Sequence, residues 1–112
     1  MMNDDLILSK QHPYGSAREF VARLWTAPGG RVTLRYCGRR WHEWDGAKYR
    51  PGDTAMLKAA AWQFLHAARR YHRGKTLGPF NPRSADVFEL LAAVRCVPGV
   101  VDGCGRLGDV TS

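Results

Sequence analysis

R-V-T-L-R-Y-C-G-R-R-W-H-E-W-D-G-A-K-Y-R-P-G, residues 31–52, is the stretch on which the fold turns. Val32, Leu34 and Tyr36 alternate with Thr33 and Arg35, the period of a half-buried strand. Cys37-Gly38-Arg39-Arg40 reads as a turn. Trp41, Glu43 and Asp45 then alternate with His42, Trp44 and Gly46. Asp45-Gly46 predicts a tight hairpin turn, because both central residues of a type I′ turn need positive φ. Lys48-Tyr49-Arg50 continues as a third short strand until Pro51-Gly52 ends it. The expectation is a small three-stranded antiparallel meander.

Helical patterns lie on both sides of it. Upstream, Ser16 is a candidate N-cap, and Ala17, Phe20, Val21 and Leu24 fall at i, i+3, i+4 and i+7. Pro28-Gly29-Gly30 stops that helix. Downstream, Asp53 is a candidate N-cap for a long helix over about Thr54 to Arg73. Leu57, Ala61, Phe64, Leu65, Ala68 and Tyr71 form its stripe. Arg69, Arg70 and Arg73 would complement the macrodipole at its C-terminal end, and Gly74 would end it. A third helix is expected from near Pro82, capped by Asn81 or Ser84, with Val87, Leu90, Leu91 and Val94 on its apolar face. Pro98-Gly99 terminates it.

The fold class predicted is therefore α+β: a three-stranded antiparallel meander packed against three helices, with a winged-helix-like arrangement as one form it could take. Residues 1–15 read as a loose lead-in, 16–97 as one domain and 98–112 as an irregular tail. The length of 112 residues fits a single domain of ordinary size.

The chain carries 17 Lys and Arg against 10 Asp and Glu, a net charge of +7. The excess is concentrated. Residues 31–83 hold twelve basic groups against Glu43, Asp45 and Asp53, whereas the flanks are neutral or slightly acidic. Such a segment favours a polyanionic partner. Three cysteines (Cys37, Cys96 and Cys104) make no disulfide framework, which suits incidental thiols in a reducing compartment. His12, His42, His66 and His72 do not fall at zinc-ligand spacings with them, so no metal or cofactor is expected. Met1 to Asp5 is acidic where a signal peptide would be basic, and no apolar run approaches a membrane span. The expectation is a cytoplasmic protein with no membrane partner.

Two apparent enzymatic signals are weak. Gly74-Lys75-Thr76 suggests a phosphate-binding loop, but Arg69 stands where that motif needs its first Gly. Glu43 and Asp45 share one face of a predicted strand, yet cross-strand pairing with Lys48 and Arg50 explains them better than acid–base work. The stronger signal is basic and aromatic interleaving. Arg39, Arg40, Lys48 and Arg50 surround a cluster of rings, and cations that neutralise phosphates release counterions. Tyr36, Trp41 and Tyr49 are expected in the core. Trp44 is out of phase with Trp41, either facing solvent or plugging a turn, and is the best candidate to stack on an unpaired base. Arg69, Arg70, Arg73 and Lys75, with Arg83 beyond, form a second basic patch with no acid between them.

The block R-Y-C-G-R-R-W-H-E-W-D-G-A-K-Y-R resembles the N-terminal accessory domain of phage- and plasmid-type primase–helicases. That family has an aromatic hairpin before a helix ending in Phe-Leu, and a last helix leading into a superfamily 3 helicase core. Trp41, Trp44, Asp45, Gly46 and Tyr49 match the hairpin, and Phe64 and Leu65 match the helix end. Pro82, Val87, Leu91 and Ala93 approximate the last helix, and S-A-R-E-F-V (16–21) is similar to the lead helix. The resemblance spans about residues 12–97 and stops short of any ATPase motif. It implies replication-associated DNA handling by an accessory module without its motor. The function expected is non-enzymatic DNA binding, to single or double strands, in a phage, plasmid or prophage replication system. Docking to a helicase or primase core is the alternative, and a nuclease remnant using Glu43 and Asp45 is a third reading.

Overall fold

The computed structural model describes residues 6–73 and 75–101. Pro13 opens the first helix, α1 (Pro13–Leu24), with His12 at the N-cap. Proline suits this position because its missing N–H would be unpaired there in any case. Ser16, the expected cap, is instead buried inside the helix with Ala17, Phe20 and Val21. Leu24 is exposed despite its phase in the stripe.

The meander forms as expected. Strands β1 (Leu34–Cys37), β2 (Arg40–Trp44) and β3 (Tyr49–Pro51) pair antiparallel in sequence order. The tight turn lies elsewhere than predicted. Gly38 and Arg39 alone join β1 to β2, and both have positive φ, 58° and 64°. That is the type I′ pattern. Between β2 and β3, Trp44 pairs with Tyr49, leaving Asp45 to Lys48 as a four-residue loop. Only Gly46 in that loop has positive φ. The Asp45 carboxylate accepts from Ala47 N at 2.8 Å and Lys48 N at 2.9 Å, which closes the loop without a two-residue turn.

The second helix, α2 (Thr54–Ala67), starts at Asp53, whose side chain accepts from Ala55 N at 2.9 Å. It ends six residues earlier than the alanine and arginine content predicts. Arg69–His72 is a strand, β4, paired antiparallel with β5 (Thr76–Pro79). The other edge of β4 is also occupied: Arg69 N donates to Leu6 O and Leu8 N to Arg69 O, both at 2.8 Å. Backbone bonds on two sides outweigh helix propensities worth a few tenths of a kcal/mol per residue. The third helix, α3 (Ser84–Val94), has Arg83 as its N-cap, whose N–H donates to the Asp86 carboxylate at 2.9 Å. This replaces the Asn81 or Ser84 cap expected.

The core lies where α3 packs on α1 and α2. Phe20 is fully buried and meets Phe64 edge-on, with ring centroids 5.1 Å apart. Trp41 and Leu34 contribute from one face of the meander. Packing also reaches beyond residues 16–97. Leu8 is buried, as is Val100, and Tyr36 N donates to Val100 O at 3.1 Å. Gly99 has φ of 94°, and a Cβ there would come within 2.7 Å of the Val32 side chain. Glycine is therefore required where this segment crosses the meander. Residues 102–112 of the expected tail lie outside the described residues. Cys37 is disulfide-bonded, which corrects the reading of incidental thiols for that residue. Cys96 is free and exposed.

Candidate nucleic-acid interface

Register assigns each meander side chain to a face, because directly paired residues project to the same side. Tyr36 pairs with Trp41 on the core side, where their rings meet at 4.8 Å. Arg35 pairs with His42, Cys37 with Arg40, and Trp44 with Tyr49, all on the opposite side. Trp44 thus faces away from the core, as its phase predicts. Tyr49, expected in the core, joins it there and is half-buried.

On this outer face the rings are covered by cations. The Arg31 guanidinium lies 4.2 Å from the Trp44 ring centroid, and Arg35 lies 4.6 Å from that of Tyr49. The two rings meet at 5.0 Å with planes 64° apart. Tyr49 Oη donates to Val32 O at 2.6 Å, which anchors the group. Cation–π contact of this kind holds a guanidinium flat on a ring and leaves its outer side to face a ligand. Trp44 is therefore not an open platform, because Arg31 occupies one side of its ring.

The other predicted residues of this sheet differ in availability. Arg39 sits in the tight turn and Arg40 opens β2, both exposed, and Lys48 is exposed in the loop. Arg50 is ion-paired with Asp45. Hydrogen bonds from Lys48 N and Ala47 N, with a smaller contribution from Arg50, lower the Asp45 pKa from 3.8 to about 2. Asp45 is thus committed to its loop, which leaves no carboxylate pair with Glu43 for acid–base work. Because the folded-state pKa is depressed, the loop gains stability above about pH 4 and loses it as pH falls toward 2. The protection of the Ala47 and Lys48 amides against hydrogen exchange, relative to their intrinsic rates at each pH, should be lost across that window. Asp45→Asn should exchange faster near neutral pH and show less acid dependence.

The second patch lies on the β4–β5 hairpin, a separate sheet. Arg69, Arg73 and Lys75 are exposed. Arg70 is half-buried and its Nε donates to Phe80 O at 3.2 Å. His72 Nε2 lies 2.9 Å from Pro79 O, with its ring across Gly78, where a Cβ would meet it at 2.9 Å. The structure thus divides the predicted set between two sheets. Arg39, Arg40, Trp44, Lys48 and Arg50 belong to the meander, and Arg69, Arg70, Arg73 and Lys75 to the hairpin.

Three contributors escape the sequence reading. Arg31 reaches Trp44 from the strand lead-in. Lys10 enters from the N-terminal segment and bonds Asn81 O at 3.0 Å and Asp86 at 3.1 Å. Trp62 projects from α2 with 38 % exposure. One signal for Trp62 is present in the sequence. Lys58 and His66 lie four residues to either side, giving a polar row off the apolar stripe.

Among the described residues, no three His, Cys, Asp or Glu side chains are grouped to hold a metal ion. No helix among them is long and apolar enough to cross a membrane. Compared with protein-family models, curated proteins and solved structures, the chain matches none.

Proposed function

We propose that this chain is a non-enzymatic nucleic-acid-binding accessory module of a phage or plasmid DNA replication primase–helicase. The observation that carries the reading is uncompensated charge. Arg39, Arg40, Lys48, Arg69, Arg70, Arg73 and Lys75 have no carboxylate partner among the described residues, and only Arg50 of the predicted cations has one. Cations left unpaired at a surface repel one another, and a phosphate backbone relieves that repulsion while releasing its own counterions. The replication context rests on the resemblance at Trp41, Trp44, Asp45, Gly46 and Tyr49.

Binding to single-stranded and duplex DNA across a salt series tests this. The logarithm of affinity should fall linearly with the logarithm of salt, with a slope of roughly −2 to −5 for a single strand if about three to seven phosphates are contacted. Absence of binding at low salt, or a flat salt dependence, rejects the reading. A second reading, docking to a helicase or primase core, is favoured by Phe88, which is 73 % exposed on α3. Docking through Phe88 would survive removal of the cations and be abolished in Phe88→Ser.

A further inference from the structure

The hairpin patch has a property that its charges alone do not explain. Two open clefts adjoin it, each with a volume of about 560 Å3. Trp62, His66 and Arg83 line the first, and Tyr71 and Arg73 line the second. Lys10 and Arg70 line both and so form the boundary between them. Each cleft therefore has one exposed aromatic ring, Trp62 at 38 % and Tyr71 at 53 % exposure, with a cation at the junction.

The chemistry of the lining is one-sided. No Asp or Glu lines either cleft. The nearby acid, Asp86, is occupied by Lys10 at 3.1 Å and by Arg83 N at 2.9 Å. Arg70 spends its Nε–H on Phe80 O, which fixes the guanidinium and leaves four N–H donors for an anion. The contrast with the meander is direct. There the rings of Trp44 and Tyr49 already carry Arg31 and Arg35, whereas no cation–π partner lies over Trp62 or Tyr71 among the described residues.

We propose that the two clefts form one track for single-stranded nucleic acid, with a base against Trp62, its neighbour against Tyr71, and the linking phosphate on Arg70 at their boundary. The proposal rests on the nucleic-acid reading above and adds strand form and location to it. Only unpaired bases can offer their faces to both rings, and such stacking tolerates any sequence. Duplex DNA would meet the cations and not the rings.

The test is binding of the full chain to a short oligo(dT) and to a blunt duplex at low salt, with circular dichroism to check folding. Trp62→Ala and Tyr71→Ala should each weaken oligo(dT) binding about tenfold, within the range seen for base–aromatic stacking. Duplex affinity should change by less than about twofold, since phosphate contacts are retained. Trp62→Phe, which keeps a ring, should recover most of the affinity. If the parent chain binds oligo(dT) but both alanine variants bind it equally well, or weaken duplex binding to the same extent, the track is wrong and the nucleic-acid reading stands. If the parent chain binds neither oligonucleotide, both fail.

Discussion

Phe20→Ala should lower the unfolding free energy by about 3–5 kcal/mol, measured by urea denaturation with the midpoint falling and the slope unchanged. Phe20 is fully buried, stands edge-on to Phe64 at 5.1 Å and contacts Trp25 at 6.2 Å between centroids. The residue lies on α1 and touches α2, so truncation leaves a cavity that neither helix can close alone. Transfer of the missing ring and the residual cavity both contribute to the cost. Against the total of about 5–15 kcal/mol typical of a domain, this change is large enough to populate the unfolded state. Phe88→Ala is the matched control. Phe88 is 73 % exposed on α3, and its removal should change stability by less than about 0.5 kcal/mol.

Reversing two charges on the hairpin, Arg70→Glu with Arg73→Glu, should weaken DNA binding about a hundredfold or more at low salt. Each hydrogen bond to a charged group is worth about 1.5–3 kcal/mol, so removing one arginine–phosphate interaction costs about tenfold or more, and the introduced carboxylates add repulsion. The salt slope should shrink by about 0.7 for each phosphate no longer neutralised on a single strand. Arg73 is exposed and makes no ion pair among the described residues, so its change has little direct cost to folding. Arg70 has a structural bond to Phe80 O, and unfolding of the double variant should be measured alongside. A matching pair of reversals at Arg39 and Arg40 reports on the meander. A larger effect there than at the hairpin would place the main DNA-binding surface on the three-stranded sheet.

Much of the fold is legible because it rests on local periodicity. Leu34 and Trp41 are buried in phase with the alternation that predicts them, and Ala17, Phe20 and Val21 lie on the predicted helix face. Asp53 caps α2 as its residue type suggests. The departures have a common cause in long-range pairing. Tyr71 continues the helical stripe of α2, Arg69 and Arg70 suit a helix C-terminal end, and Arg is a good helix former. Their actual partners are Leu6 and Leu8 on one side and Thr76 to Pro79 on the other. The pairing with Leu6 and Leu8 joins segments more than sixty residues apart, and no local pattern shows it. Some signal for the hairpin is nonetheless present. Tyr71, Thr76 and Leu77 flank Arg73-Gly74-Lys75, with Pro79 at the end of an edge strand, where proline is tolerated. Asp45-Gly46 has the stronger turn composition, yet the two-residue turn forms at Gly38-Arg39. Its place is set by the β1–β2 register, which pairs Cys37 with Arg40.

Composition and the two-residue period of a strand are enough to show three things. Positive charge is concentrated in residues 31–83, a meander occupies the first part of that segment, and Trp44 and Trp41 point to opposite faces. Which cations stay unpaired and which rings stay open is a matter of tertiary contacts. Arg50 is neutralised by Asp45 across a four-residue loop, and Trp44 is covered by Arg31 from outside its own strand. Trp62 and Tyr71 come to flank Lys10 and Arg70 because the backbone of Leu6 to Leu8 pairs with β4. Availability for binding depends on neighbours brought together by folding, and spacing along the chain does not encode it.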